Sequence, residues 1–187
     1  MNYLKASDIQ IVPMTTETDD YMSAIPQKAR IGDGTIKIFK PAFDDIQVIK
    51  ELDIHSRILH TGLKGKIRVV NLHSILISKD VEMMIGLLFD VIPSIGESLQ
   101  NSPCKMASEH HAKWERQVTA IVKELHSHDT VWGDIHPGNI VIDENFDAWL
   151  VDFGYGWTED FADRKKPSTN EGDWERVQRI FEKRITQ

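Results

Sequence analysis

Cysteine is almost absent from this chain, with a single residue, Cys104, among 187. One cysteine excludes an internal disulfide and any zinc site built on several thiolates, and makes a reducing compartment the expectation. Long apolar runs are lacking as well. The longest near the middle, Leu87–Phe89 with Met83–Ile85 just before Gly86, falls far short of the ~20 residues that cross a bilayer, so no membrane partner is expected. The opening residues Met1–Gln10 hold no basic stretch followed by an apolar one, so no secretory signal is expected. The chain therefore reads as intracellular, cytoplasmic with the nucleus left open. Basic charge is short too: 22 Lys and Arg against 29 Asp and Glu leave a formal charge of −7. That balance argues against nucleic acid as a partner, which would need a basic face. With 27% charged and 41% hydrophobic residues, the composition is that of a globular domain and not of a disordered, collagen-like or coiled-coil chain.

The early part of the chain reads as short strands between polar turns. Ile9–Val12 is strand-like, Thr15–Asp20 is a polar, acidic loop, and Tyr21–Ile31 forms a second strand that Pro26 confines to an edge or bulge. Gly32-Asp33-Gly34 is a hairpin turn, because glycine and aspartate tolerate positive φ. Alternation in the following strand, Thr35–Lys40, puts Ile36, Ile38 and Lys40 on one face. A helix follows Pro41, with Ile46, Ile49, Ile54, Ile58 and Leu59 near helical spacing, and Gly62 and Gly65 end it. Arg68–Ser78 and Val81–Ile92 read as strands, and Ser94–Lys105 as a polar connector. The clearest helix is capped by Ser108 and carries Trp114, Val118, Ile121, Val122 and Leu125 on one stripe. Strands Ile140–Ile142 and Trp149–Val151 make a hairpin, and a helix over Asp173–Arg184 closes the chain. The fold class is α+β, in two lobes.

Chemistry concentrates between Val131 and Gly154. Asp134 and Asn139 lie five residues apart in a loop between a helix and a strand, and Asp152 follows at the end of the hairpin's return strand. Because a hairpin folds back, Asn139 and Asp152 come side by side. Two oxygen donors there suit Mg²⁺, which takes few protein carboxylates and completes its shell with phosphates and water. Asp134, offset by one loop turn, is placed to accept a proton from an attacking hydroxyl.

Gly133-Asp134 with Asn139, followed by Asp152-Phe153-Gly154, resembles the protein-kinase-like superfamily in both residues and spacing. The loop Ile135-His136-Pro137-Gly138-Asn139 is similar to that of aminoglycoside and choline phosphotransferases. Trp132-Gly133-Asp134 resembles the short fungal kinase-like proteins, which tend to carry Trp-Gly-Asp here and a later Gly-Asp. The resemblance implies a minimal kinase-like fold with a truncated C-lobe, in a single domain: a strand-rich N-lobe with one helix over 1–92 and a reduced helical C-lobe over 93–187. It implies a kinase that transfers the γ-phosphate of ATP, with Mg²⁺, to a hydroxyl acceptor, foremost protein Ser/Thr. The alternatives are a small-molecule kinase of the aminoglycoside or choline type, and a catalytically weak pseudokinase that serves as a binding module.

Within that resemblance Asp134 is the catalytic base, and Asn139 and Asp152 hold the metal. Lys40 positions the ATP phosphates, with Lys37 as runner-up on the other face, and Ile38 contacts adenine. Glu51, which shares a helix face with Ile54 and Ile58, is the partner of Lys40. The hinge resembles Leu87–Ile92, with the backbones of Asp90 and Val91 toward the adenine edge and Phe89 guarding the pocket behind. Gly172-Asp173 resembles the family's buried Asp that braces the catalytic loop, with a helix N-cap as the competing reading. Since Gly133 stands where protein kinases have Arg, no side chain there can clamp a phosphorylated activation loop.

The chain also departs from the family. Thr15–Asp20 stands where a glycine-rich phosphate loop belongs, and its three acids would repel phosphate. No Ala-Pro-Glu triplet follows Gly154. The basic cluster Arg164-Lys165-Lys166 reads as a solvated loop in preference to a contact for an acidic substrate. Only 187 − 152 = 35 residues follow Asp152, so the acceptor platform is expected to be reduced, absent or supplied by a partner. The eight histidines suggest no zinc site without cysteine partners, and His136 is expected to order its loop.

Overall fold

A computed structural model describes residues 1–12, 27–80, 83–101, 104–154 and 169–183. The acidic loop at 15–20, the start of the strand expected from Tyr21, and the basic cluster at 164–166 lie outside the described residues. The fold is mixed α+β and divides into two compact units. One comprises Met1–Val48 and Val70–Val91, the other Ile49–Val69 and Ile92–Gln187.

The first unit is a six-stranded mixed sheet. Its strands are β1 (Asn2–Lys5), β2 (Ile9–Ile11), β3 (Gln27–Ile31), β4 (Ile36–Pro41), β5 (Leu72–Ile77) and β6 (Met84–Asp90), in the order β1-β5-β6-β4-β3-β2. The β3–β4 hairpin closes as expected over Gly32–Gly34. Gly34 has φ 87°, and Asp33 accepts the Thr35 amide at 2.8 Å. Strand β1, which pairs in parallel with β5, has no counterpart in the sequence-based expectation. Ala29, Leu76 and Leu88 form the buried centre, with Phe39 and Ile85 packed on it. Gly86 is required here, because a Cβ on it would meet the Phe39 ring and lie 2.5 Å from the Lys40 carbonyl oxygen.

Helix α1 (Asp45–His60) begins in the first unit, and most of it belongs to the second. Ile46, Ile49 and Leu59, expected on its apolar face, are exposed, whereas Val48, Glu51, Ile54, His55 and Ile58 are buried. Helical spacing alone allowed two overlapping stripes, and the buried one carries a carboxylate. The second unit continues with β7 (Ser94–Ser98), α2 (Cys104–His126), β8 (Ile140–Asp143), β9 (Ala148–Leu150) and α3 (Asn170–Lys183).

Two expectations are corrected here. Part of the supposed connector is strand β7, paired with β8, and α2 begins four residues before Ser108, which is therefore not its cap. The α2 stripe itself is as expected. Trp114, Val118, Ile121, Val122 and Leu125 join Ile54 and Ile58 of α1 and Val177, Ile180 and Phe181 of α3 in one core. Burying such side chains stabilises by about 1.5–3 kcal/mol each, so this core fixes the loop that lies over it. Among the described residues no helix is long and apolar enough to cross a membrane.

Candidate active site

The loop joining α2 to β8 is buried through Trp132, Gly133, Asp134 and Ile135. Buried backbone groups need partners, and α3 supplies them. Asp173, wholly buried, accepts the Trp132 amide on Oδ2 and the Gly133 amide on Oδ1, both at 2.9 Å. His126 Nε2 lies 2.9 Å from the same Oδ2. One helical turn later, Arg176 donates to the Gly133 carbonyl at 3.3 Å. Gly133 has φ 81°, in the left-handed region where a side chain is strained. The N-cap role belongs to Thr169, whose Oγ1 accepts the Gly172 amide at 3.0 Å, so Asp173 is left to brace the loop.

Downstream, His136 Nδ1 accepts the Gly138 amide at 3.1 Å and shapes the short turn Pro137–Asn139. His136 thus orders the loop, as its position in the sequence suggested. Asn139 turns back on Asp134: its Nδ2 donates to the Asp134 carbonyl and to Asp134 Oδ2, each at 3.0 Å. The β8–β9 pairing sets Ile140 against Leu150, and the Val151 amide donates to the Asn139 carbonyl at 3.0 Å. Asp152 therefore emerges next to Asn139. Burial, and secondly the charge of Asp152, push the Asp134 carboxyl above its ordinary value.

The Asp152–Gly154 segment is pinned at successive backbone atoms. The Trp132 indole donates to the Asp152 carbonyl at 2.8 Å. Glu51 Oε1 accepts the Phe153 amide at 3.4 Å, and Asp152 Oδ1 accepts the Gly154 amide at 3.0 Å. Phe153 is fully buried, edge-on to His55 at 5.3 Å. Asp152 itself sits at φ 57°, an unusual backbone state for a residue other than glycine and one that clusters at functional sites.

The structure thus brings Asp134, Asn139, Asp152 and Glu51 together in the second unit. Glu51 is buried on the face expected for it and accepts the Phe153 amide. The nucleotide-side candidates gather in the first unit. Across β4 and β6, Lys40 faces Leu87, Ile38 faces Phe89 and Lys37 faces Asp90. Lys37, the runner-up, forms an ion pair with Asp90 at 2.8 Å. Val91 follows directly after β6 and is 39% exposed.

Three site residues were not anticipated from the sequence: Lys50, His126 and Arg176. Lys50 Nζ donates to the Trp132 carbonyl at 3.3 Å and to the Gly154 carbonyl at 3.5 Å. Burial pushes its ammonium below the usual lysine value, opposed by the carboxylates of Asp134, Asp173 and Asp152. A signal for Arg176 was present, since it lies at i+3 from Asp173 and so shares its helix face.

The residues at the hairpin end fit a hard cation. With Nδ2 engaged by Asp134, Asn139 keeps its amide oxygen as a donor to a cation, and Asp152 follows directly after Val151, whose amide bonds the Asn139 carbonyl. Among the described residues no group of three or more His, Cys, Asp or Glu is placed to hold a metal ion. A cation here would draw the rest of its ligands from phosphate and water, as Mg²⁺ does. A cavity of about 480 Å³ in the second unit, lined by Lys66, Arg68, Lys113 and Arg116 among others, includes none of the candidate residues. No protein-family model matches the chain, and no curated protein matches it.

Proposed function

We propose that the chain is an ATP-dependent phosphotransferase with a protein-kinase-like fold and a reduced C-lobe, acting on a hydroxyl acceptor, foremost protein Ser/Thr. The observation that carries this reading is the meeting of Asp134, Asn139 and Asp152 at one end of the β8–β9 hairpin, on a loop braced by Asp173. Asp134 orients the acceptor hydroxyl and takes its proton as the new oxygen–phosphorus bond forms and the bond to ADP breaks. A carboxyl raised by burial is a better proton acceptor than an ordinary one. Asp152 and Asn139 are the residues that would hold Mg²⁺, which would neutralise phosphate charge. Lys40 steadies the phosphates, and Ile38, Phe89, Asp90 and Val91 receive adenine. Catalysis by such a set is mostly positioning and charge stabilisation.

The test is transfer from γ-labelled ATP with Mg²⁺, offered to generic protein acceptors and to small alcohols in parallel. Label on protein supports the stated acceptor class, and label only on small alcohols moves the reading to a metabolite kinase. Absence of both transfer and thermal stabilisation by millimolar ATP and Mg²⁺ in folded protein would overturn it.

A further inference from the structure

Two backbone carbonyls in the site accept from one ammonium. Lys50 comes from α1, one residue before Glu51, and reaches Trp132 O at 3.3 Å and Gly154 O at 3.5 Å. The first carbonyl lies two residues before Asp134 and the second two residues after Asp152, so a single cation spans both segments. A half-buried ammonium is costly unless its donors are met, and here two carbonyls and the field of three carboxylates meet it. The loop could not carry such a cation itself, because Gly133 at φ 81° disfavours any side chain.

We propose that Lys50 is a positioning residue that ties the Asp134 loop to the Asp152–Gly154 segment, so that the two carboxylates are held in place without any modification of the chain. This rests on the assignment of Asp134 and Asp152 as the reacting centre. Glu51 and the Trp132 indole hold the same segment at the Phe153 amide and the Asp152 carbonyl. Lys50 adds a contact that links Trp132 to Gly154. Lys50→Met keeps the aliphatic stem and removes the tie, whereas Lys50→Arg keeps a cation that can donate to both carbonyls.

The experiment compares these variants with wild type in two ways. The first is hydrogen exchange of the Trp132 indole N–H, resolved by NMR in nucleotide-free protein. In Lys50→Met this exchange rises about tenfold or more while the amides of Val118 and Val122 stay unchanged, and Lys50→Arg restores slow exchange. The second is transfer kinetics: kcat falls at least about tenfold with KM for ATP within about threefold, and Arg recovers most of the loss. Unchanged indole exchange in folded Lys50→Met overturns the tie whatever the activity. If Lys50→Met fails to fold, Lys50→Gln is measured instead, and loss of fold in both makes Lys50 a stability element and overturns the proposal. A wild-type protein without transfer, but with the indole effect intact, would sink the enzyme assignment and leave the tie standing.

Discussion

At the scale of single residues, Asp134 couples chemistry to stability. Its carboxyl titrates above the unfolded value because of burial and then the Asp152 charge. The stability linked to its proton is therefore complete below the unfolded carboxyl range and is lost as pH rises through the folded pKa. The ionised form is the one that weakens the fold. Asp134→Asn, whose amide oxygen still accepts from Asn139, is expected to raise Tm by a few degrees at pH 7 in metal-free protein. That gain should vanish below about pH 4, where wild-type Asp134 is protonated. Calorimetry over a pH series checks the sign, and a gain that grows toward acid would contradict it. The same substitution should cut transfer by about 10²–10⁴-fold while nucleotide binding stays nearly intact. Gly133 offers a second check. Gly133→Ala forces a side chain into φ 81° and should cost about 1–2 kcal/mol in urea unfolding.

At the scale of elements, the first turn of α3 governs the loop. Asp173 satisfies the amides of Trp132 and Gly133, and Arg176 the Gly133 carbonyl. Asp173→Ala leaves two buried N–H groups without partners and is expected to cost about 3 kcal/mol or more; Asp173→Asn, which keeps one acceptor, should cost less. Equal losses in denaturant unfolding would mean the bidentate bracing is not what matters. The brace was expected from the resemblance of Gly172-Asp173 to the family's buried Asp, and the competing cap falls to Thr169 instead. The α2 stripe and the β8–β9 hairpin were legible because strong periodicity and a polar turn leave few alternatives. The face of α1 was not. Five apolar residues fit helical spacing, and the decision fell to Glu51 and His55, polar residues buried against the Asp152–Gly154 segment. Strand β1 was hidden for another reason: it is a short parallel edge, and its pairing with β5 lies about 70 residues away in the chain.

At the scale of the whole molecule, the candidate groups fall into two sets. Asp134, Asn139, Asp152 and Glu51 converge in the second unit, and Ile38, Lys40, Phe89 and Asp90 line neighbouring strands of the first. Spacing made the approach of Asn139 and Asp152 legible, because a hairpin of fixed length brings its ends together, whereas the strand residues were named only through the family resemblance. Lys50 was illegible for the opposite reason, since its role depends on a long flexible side chain meeting backbone carbonyls about 80 and 100 residues onward. A net charge of −7 makes the cations in the site matter more to any polyphosphate ligand. Asp152→Ala is therefore expected to abolish Mg²⁺-dependent stabilisation by ATP, read as the Tm difference with and without the metal. The most direct test of the phosphotransferase assignment is label transfer from γ-labelled ATP by wild type beside Asp134→Asn. Transfer by wild type that falls at least a hundredfold in the variant, with ATP binding retained, is the expected result. Equal transfer by the two proteins, or none by a folded wild type saturated with ATP and Mg²⁺, would contradict it.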